Sequence, residues 1–245
     1  MSFMVLAALT PLRPLPARSR RWWRALFPGV GAAASLALCS VALSLATAVP
    51  SAGAESPIKI VALGDSLTAG LGLADKDGFV PRLQAALAAK GIGATIENAG
   101  VTGDTAADGL ARLDWSVPPG TDAVILELGA NDMLRGLDPR VTRDALDAIL
   151  RRLTERRIAV LVCGMRAAPN LGADYGLAFE RNYPELAAKY GVPLYPFFLD
   201  GVAADLGLLQ ADGLHPNAAG VGVIVGRILP NVEELVSRVR RLRPS

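Results

Sequence analysis

Five short apolar runs punctuate the chain, at residues 58–63, 94–98, 123–128, 158–163 and 192–197. Between them the apolar positions recur every three or four residues instead. Short continuous runs suit strands buried on both faces, and helical spacing between successive runs suits crossover helices. Such alternation predicts an α/β domain with a parallel sheet, helices on both faces and right-handed crossovers.

Helix ends follow from local signals. Phe79, Leu83 and Leu87 set the first crossover helix, with Asp77 as the expected N-cap and Gly91 just past its end. A second helix is expected after Asp104, another suitable cap. A third spans residues 139–156 and turns Val141, Ala145, Leu146, Ile149 and Leu153 to one face. Tyr175, Phe179, Leu186 and Tyr190 mark a fourth. The last is expected to carry Pro216 in its first turn and to stop or kink at Pro230. That leaves Val232, Leu235 and Val239 on a basic C-terminal segment.

The first 54 residues break this pattern. Five arginines (13, 18, 20, 21 and 24) and no acidic residue lead into an apolar stretch over roughly 30–49. Ala52-Gly53-Ala54, and earlier Ala46-Thr47-Ala48, are small-residue cleavage sites, so the segment reads as an export signal. Its apolar length also approaches the roughly 20 residues that span a bilayer, which keeps an uncleaved membrane anchor open as the rival reading. Residues 55–245 then fit one domain. The chain's net charge of +2 belongs to the leader, because the remainder holds 20 basic against 23 acidic residues. That balance offers no basic face for nucleic acid. Export brings no disulfide, since Cys39 lies in the leader and Cys163 ends an apolar run as a small buried hydrophobe.

Chemistry gathers where the runs end. Gly64-Asp65-Ser66 follows the first, Asn98 to Thr105 (with Gly103) the second, and Gly129-Ala130-Asn131-Asp132 the third. Asp212-Gly213-Leu214-His215-Pro216 precedes the last helix. In open α/β sheets ligands bind at the carboxyl ends of the strands, so these four loops are placed to share one crevice. Each also has a plainer reading: Gly103 as a tight turn, Asn131 and Asp132 as a turn and cap, His215 as a packing residue. Together they supply what acyl transfer requires. Ser66 is the candidate nucleophile, His215 its base and Asp212 the orienting acid. The Ser66 and Gly103 N–H groups and the Asn131 amide are candidate oxyanion donors. His215 is the chain's single histidine, so a Ser-His mechanism has no other base.

In order and spacing these four blocks resemble those of the GDSL or SGNH hydrolases. Thr102-Gly103-Asp104-Thr105 and residues 127–136 (Glu-Leu-Gly-Ala-Asn-Asp-Met-Leu-Arg-Gly) are similar to the exported bacterial thioesterase I, lysophospholipase and arylesterase branch. The resemblance implies a three-layer α/β/α sandwich with a five-stranded parallel sheet, and the same roles for Ser66, Gly103, Asn131, Asp212 and His215. Two features separate the chain from α/β-hydrolases. Thr68 stands where their nucleophile elbow has Gly, and Asp212 and His215 share one loop.

The expected reaction is two-step hydrolysis of acyl esters, aryl esters, thioesters or lysophospholipids. No cofactor is called for, and one histidine and one cysteine in residues 55–245 leave no soft-ligand metal cluster. Met165, Leu171 and Tyr175 are candidates to line an acyl groove, or else simply cover the end of the sheet. A carbohydrate O-acetyl esterase of the same fold is the alternative, expected to have a smaller and more polar pocket. A protein that only binds its ligand would have no need of nucleophile, base and donors together.

Overall fold

The computed structural model describes residues 56–243; the expected signal segment, with its cleavage sites and Cys39, lies outside the described residues. Strands β1 (Ile58–Gly64), β2 (Ala94–Gly100), β3 (Ala123–Glu127), β4 (Ala159–Cys163) and β5 (Leu194–Tyr195) form one sheet in the order β2-β1-β3-β4-β5. Every pairing is parallel. β1 and β3 are buried almost throughout, as continuous apolar runs demand when both faces are covered.

Nine helices among the described residues complete the domain: α1 (Ser66–Ala69), α2 (Phe79–Ala89), α3 (Ala106–Ala111), α4 (Leu113–Ser116), α5 (Ala130–Leu134), α6 (Pro139–Glu155), α7 (Ala173–Glu180), α8 (Asn182–Tyr190) and α9 (Ala218–Leu242). α2 packs with α9, while α3, α7 and α8 pack with α6. The two groups cover the sheet as the outer layers of an α/β/α sandwich. The chain leaves β1 for β2 on one side and then crosses to β3 on the other. That reversal is the topological switch point, where open sheets leave a crevice beyond the strand ends.

Several local expectations are corrected. Gly78, not Asp77, caps α2, because the Asp77 carboxylate pairs with Arg82 at 2.6 Å. Likewise Thr105 caps α3 in a reciprocal capping box with Asp108, while Asp104 pairs with Arg112 at 2.6 Å. Val141 is exposed, and Thr142 takes the inward position on α6. The fourth helix is two, since Pro184 has no N–H to offer Glu180 and α7 ends there. β5 shrinks to two residues between Pro193 and Pro196. α9 starts at Ala218 under Asn217, whose side chain accepts from the Ala219 and Gly220 N–H groups. It then runs through Pro230, which is exposed, as is Gly226, the residue whose carbonyl loses its partner. No helix among the described residues is long and apolar enough to cross a membrane.

Candidate active site

Ser66 opens α1 directly beyond β1, where the Asp65 carboxylate accepts the Leu67 N–H at 3.0 Å and fixes the turn. Its hydroxyl lies 2.9 Å from His215 Nε2. On the far side of the ring, His215 Nδ1 sits 2.6 Å from Asp212 Oδ2. The other Asp212 oxygen accepts the Leu214 and His215 N–H groups at 2.9 and 3.0 Å, so one short loop orients acid and imidazole together. Those backbone donors and the imidazole hold the Asp212 carboxyl down to about 2. The loop is itself anchored. Gln210 N–H donates to His215 O, and the Gln210 amide donates to Leu71 O (2.7 Å) and Pro216 O (3.0 Å).

Gly103 sits in the loop after β2 at φ 87°, a left-handed conformation that glycine adopts freely. Among the described residues, neither the Ser66 nor the Gly103 N–H donates a hydrogen bond. Asn131, in α5 beyond β3, is engaged at rest. Its Nδ2 donates to Asp65 Oδ2 at 3.1 Å and to Asp104 O at 2.9 Å. Both amide hydrogens therefore already have acceptors, and a third acceptor in the crevice must displace one of them. Asp132 is fully buried and works elsewhere, accepting from Ala106 N–H (2.9 Å) and Thr142 Oγ1 (3.0 Å). Asp132 is therefore not the cap of its own helix, where Gly129 stands at the N-cap without a side-chain bond; it is a buried acceptor that steadies the start of α3.

The fold brings Ser66, Asp212 and His215 into one hydrogen-bonded chain. Asn131 joins the floor beneath it through Asp65. The groove residues fare differently. Met165 is 3% exposed and packed in the core, so it does not line a groove; Gly164 is pinned between Tyr195 and Phe198 by backbone bonds, which keeps Met165 buried two residues past the end of β4. Leu171 is half-buried in a turn of 3₁₀ helix. Tyr175 stacks on Phe179, and its hydroxyl donates to Leu137 O at 2.9 Å. It borders an open cavity of about 760 Å³ with Gly136, Asp138, Arg143 and Asn182; none of Ser66, Gly103, Asn131, Asp212 or His215 lines that cavity.

Three supporting residues escaped the sequence reading. Asp65 is fully buried under the nucleophile turn, and Glu127 at the end of β3 is buried beside it. Arg112 donates to Gly64 O, Ala99 O and Ser116 Oγ, each at 2.8 Å, besides pairing with Asp104. It therefore ties the ends of β1 and β2 to the loop whose carbonyl holds Asn131. A charged residue inside the apolar run 123–128 was the one available signal, and it marked Glu127.

Comparison with known proteins places the chain in a wider group. The sequence profile of the GDSL-like Lipase/Acylhydrolase family matches residues 62–223, a span that includes all five candidate residues. Esterase TesA of Pseudomonas aeruginosa is 36% identical over 200 residues, covering 81% of this chain and 98% of that protein. Thioesterase 1/protease 1/lysophospholipase L1 of Escherichia coli is 34% identical over 179 residues, covering 73% and 85% respectively. Among solved structures, the SGNH-hydrolase family esterase AlinE4 superposes with a TM-score of 0.63 at 44% identity, covering 74% of this chain and 97% of that one.

Proposed function

The chain belongs to the GDSL-like lipase/acylhydrolase family, and on that premise we propose how it cleaves ester or thioester bonds: with Ser66 as nucleophile, His215 as base and Asp212 as orienting acid. The observation that carries this reading is the unbroken line from Ser66 Oγ to His215 Nε2 (2.9 Å) and from Nδ1 to Asp212 (2.6 Å). As Oγ attacks the acyl carbon, its proton passes to Nε2 and the carbonyl electrons move onto oxygen. The Ser66 and Gly103 N–H groups and the Asn131 amide donate to that oxyanion, Asn131 exchanging its bond to Asp104 O for the new one. Collapse breaks the bond to the alcohol or thiol, which takes the proton from His215. Water then repeats the sequence on the acyl-enzyme, giving up a proton to His215 as the acid leaves and Ser66 recovers its own. Asp212, held ionised, stabilises the imidazolium formed in each half.

Substrate class is read from what the site loops expose. Leu71 follows α1, Val101 precedes Gly103, Leu134 follows Asn131 and Leu214 adjoins His215; all four are exposed. Apolar side chains on every site-bearing loop favour acyl chains over the acetyl groups of a carbohydrate. p-Nitrophenyl esters of graded chain length test this. Catalytic efficiency should rise from acetyl to longer acyl groups, and a maximum at acetyl would contradict it.

Export supplies the setting. The arginine-led apolar segment and its small-residue sites support cleavage near residue 55 and release into a bacterial periplasm or medium. Mass spectrometry of the exported protein should find an N-terminus there. Recovery only from membranes, with the apolar stretch retained, would favour the anchored form.

A further inference from the structure

β3 ends on Glu127, paired in register between Gly64 of β1 and Cys163 of β4. Its carboxyl is fully buried beneath the Ser66 turn. Oε2 accepts from Thr68 Oγ1 at 2.7 Å and from the Asp65 N–H at 3.4 Å, whereas Oε1 has no partner among the described residues. The fit is close: a Cβ on Gly64 would lie 2.6 Å from Oε2 and 2.1 Å from Thr68 Oγ1. Asp65 is equally excluded from water, but both its oxygens face donors, Leu67 N–H and the Asn131 amide. Arg112, which reaches Gly64 O, has its guanidinium committed to Ala99 O, Ser116 and Asp104.

Two neighbouring carboxyls in so dry a place do not both ionise. Burial raises both, Glu127 well above the usual range and Asp65 to about 6. The donors surrounding Asp65 suit an anion. The bare Oε1 of Glu127 suits a proton.

We propose that Glu127 is a positioning residue: a neutral carboxyl that accepts from Thr68 and the Asp65 N–H, fixes the Ser66 turn, and leaves Asp65 as the anion that aims the Asn131 amide. This role rests on Ser66 as nucleophile and Asn131 as oxyanion donor. A glutamine reproduces the neutral acceptor and fills the same volume; an alanine removes both.

The test measures kcat, KM and melting of Glu127→Gln, Glu127→Ala and Ser66→Ala with a p-nitrophenyl ester, together with the infrared band of a protonated carboxyl at neutral pH. Glu127→Gln should keep kcat within about threefold. Glu127→Ala, assayed well below its melting temperature, should lose about ten- to a hundredfold in kcat with KM little changed, the scale on which a misplaced catalytic group costs rate. Wild type should show a protonated-carboxyl band that Glu127→Gln lacks. Equal losses in both Glu127 variants, an unimpaired Glu127→Ala, or no such band would each overturn the proposal. If Glu127→Ala does not fold, the glutamine variant and the band decide. An inactive Ser66→Ala beside an unimpaired Glu127→Ala removes Glu127 alone. An active Ser66→Ala removes the nucleophile, and this role with it.

Discussion

Asn131→Ala removes an amide with two bonds at rest and a third duty in the transition state. The resting bonds go to Asp65 Oδ2 and Asp104 O, and Asp65 is wholly buried, so its carboxylate is left short of a donor. One charged and one neutral hydrogen bond place the stability loss at about 2–4 kcal/mol. For a domain of this size that lowers the melting temperature by roughly 4–15 °C. The catalytic loss is separate. One oxyanion donor is worth about 10²–10³ in kcat, or roughly 2.7–4 kcal/mol, and KM should barely move because the ground-state carbonyl carries less charge. Melting alone therefore does not discriminate between scaffold and donor, since both predict a drop. The decisive assay is steady-state hydrolysis well below the variant's melting temperature, with active sites counted by a phosphonate. A folded variant with kcat within about threefold of wild type would refute the donor role. The oxyanion would then rest on the Ser66 and Gly103 N–H groups alone.

Asp212→Asn should lower kcat by about 10²–10⁴, because the imidazole loses its orienting anion. Asp212 is held below the ordinary carboxylate value, so its stabilising contacts are present above about pH 4 and are lost as pH falls towards about 2. Acid unfolding curves of wild type and Asp212→Asn should accordingly converge across that window; a constant gap would mean that Asp212 does not titrate there. Arg112→Ala should lower melting far more than Arg140→Ala, since Arg112 is mostly buried against Asp104 and Arg140 pairs with Asp138 in open solvent. Equal melting temperatures for the two variants would show that the Arg112 bonds contribute little.

Much of the fold was legible because β1 and β3 are buried on both faces, and such strands must be written as continuous apolar runs. The candidate site was legible for a related reason: a switch point collects loops, the short polar clusters of residues 64–66 and 129–132 stand out against the runs they end, and that of residues 212–216 stands just before the last helix. What escaped was decided by partners distant in sequence. Asp77 and Asp104 carry good cap side chains, yet each has an arginine within reach once the helix forms, and the ion pair takes the carboxylate. Pro230 reads as a helix stop, but on the solvent side of α9 the missing hydrogen bond costs little burial. Met165 is apolar beside an apolar strand, and nothing local says whether such a side chain faces core or crevice. Asp65 and Glu127 are the clearest case. Acidic letters next to Gly64 and Leu128 look like surface punctuation until β1 and β3 pair and seal both from water.

The account turns on Ser66, and covalent trapping tests it most directly. Wild-type protein treated with a fluorophosphonate, digested and sequenced by mass spectrometry, should carry one phosphonyl group, on Ser66, with hydrolysis lost in step with labelling. Ser66→Ala should melt near wild type, remain unlabelled and hydrolyse esters slower by at least about three orders of magnitude. An adduct on another residue, or a Ser66→Ala variant within about tenfold of wild-type kcat, where loss of a triad serine costs orders of magnitude, would contradict it.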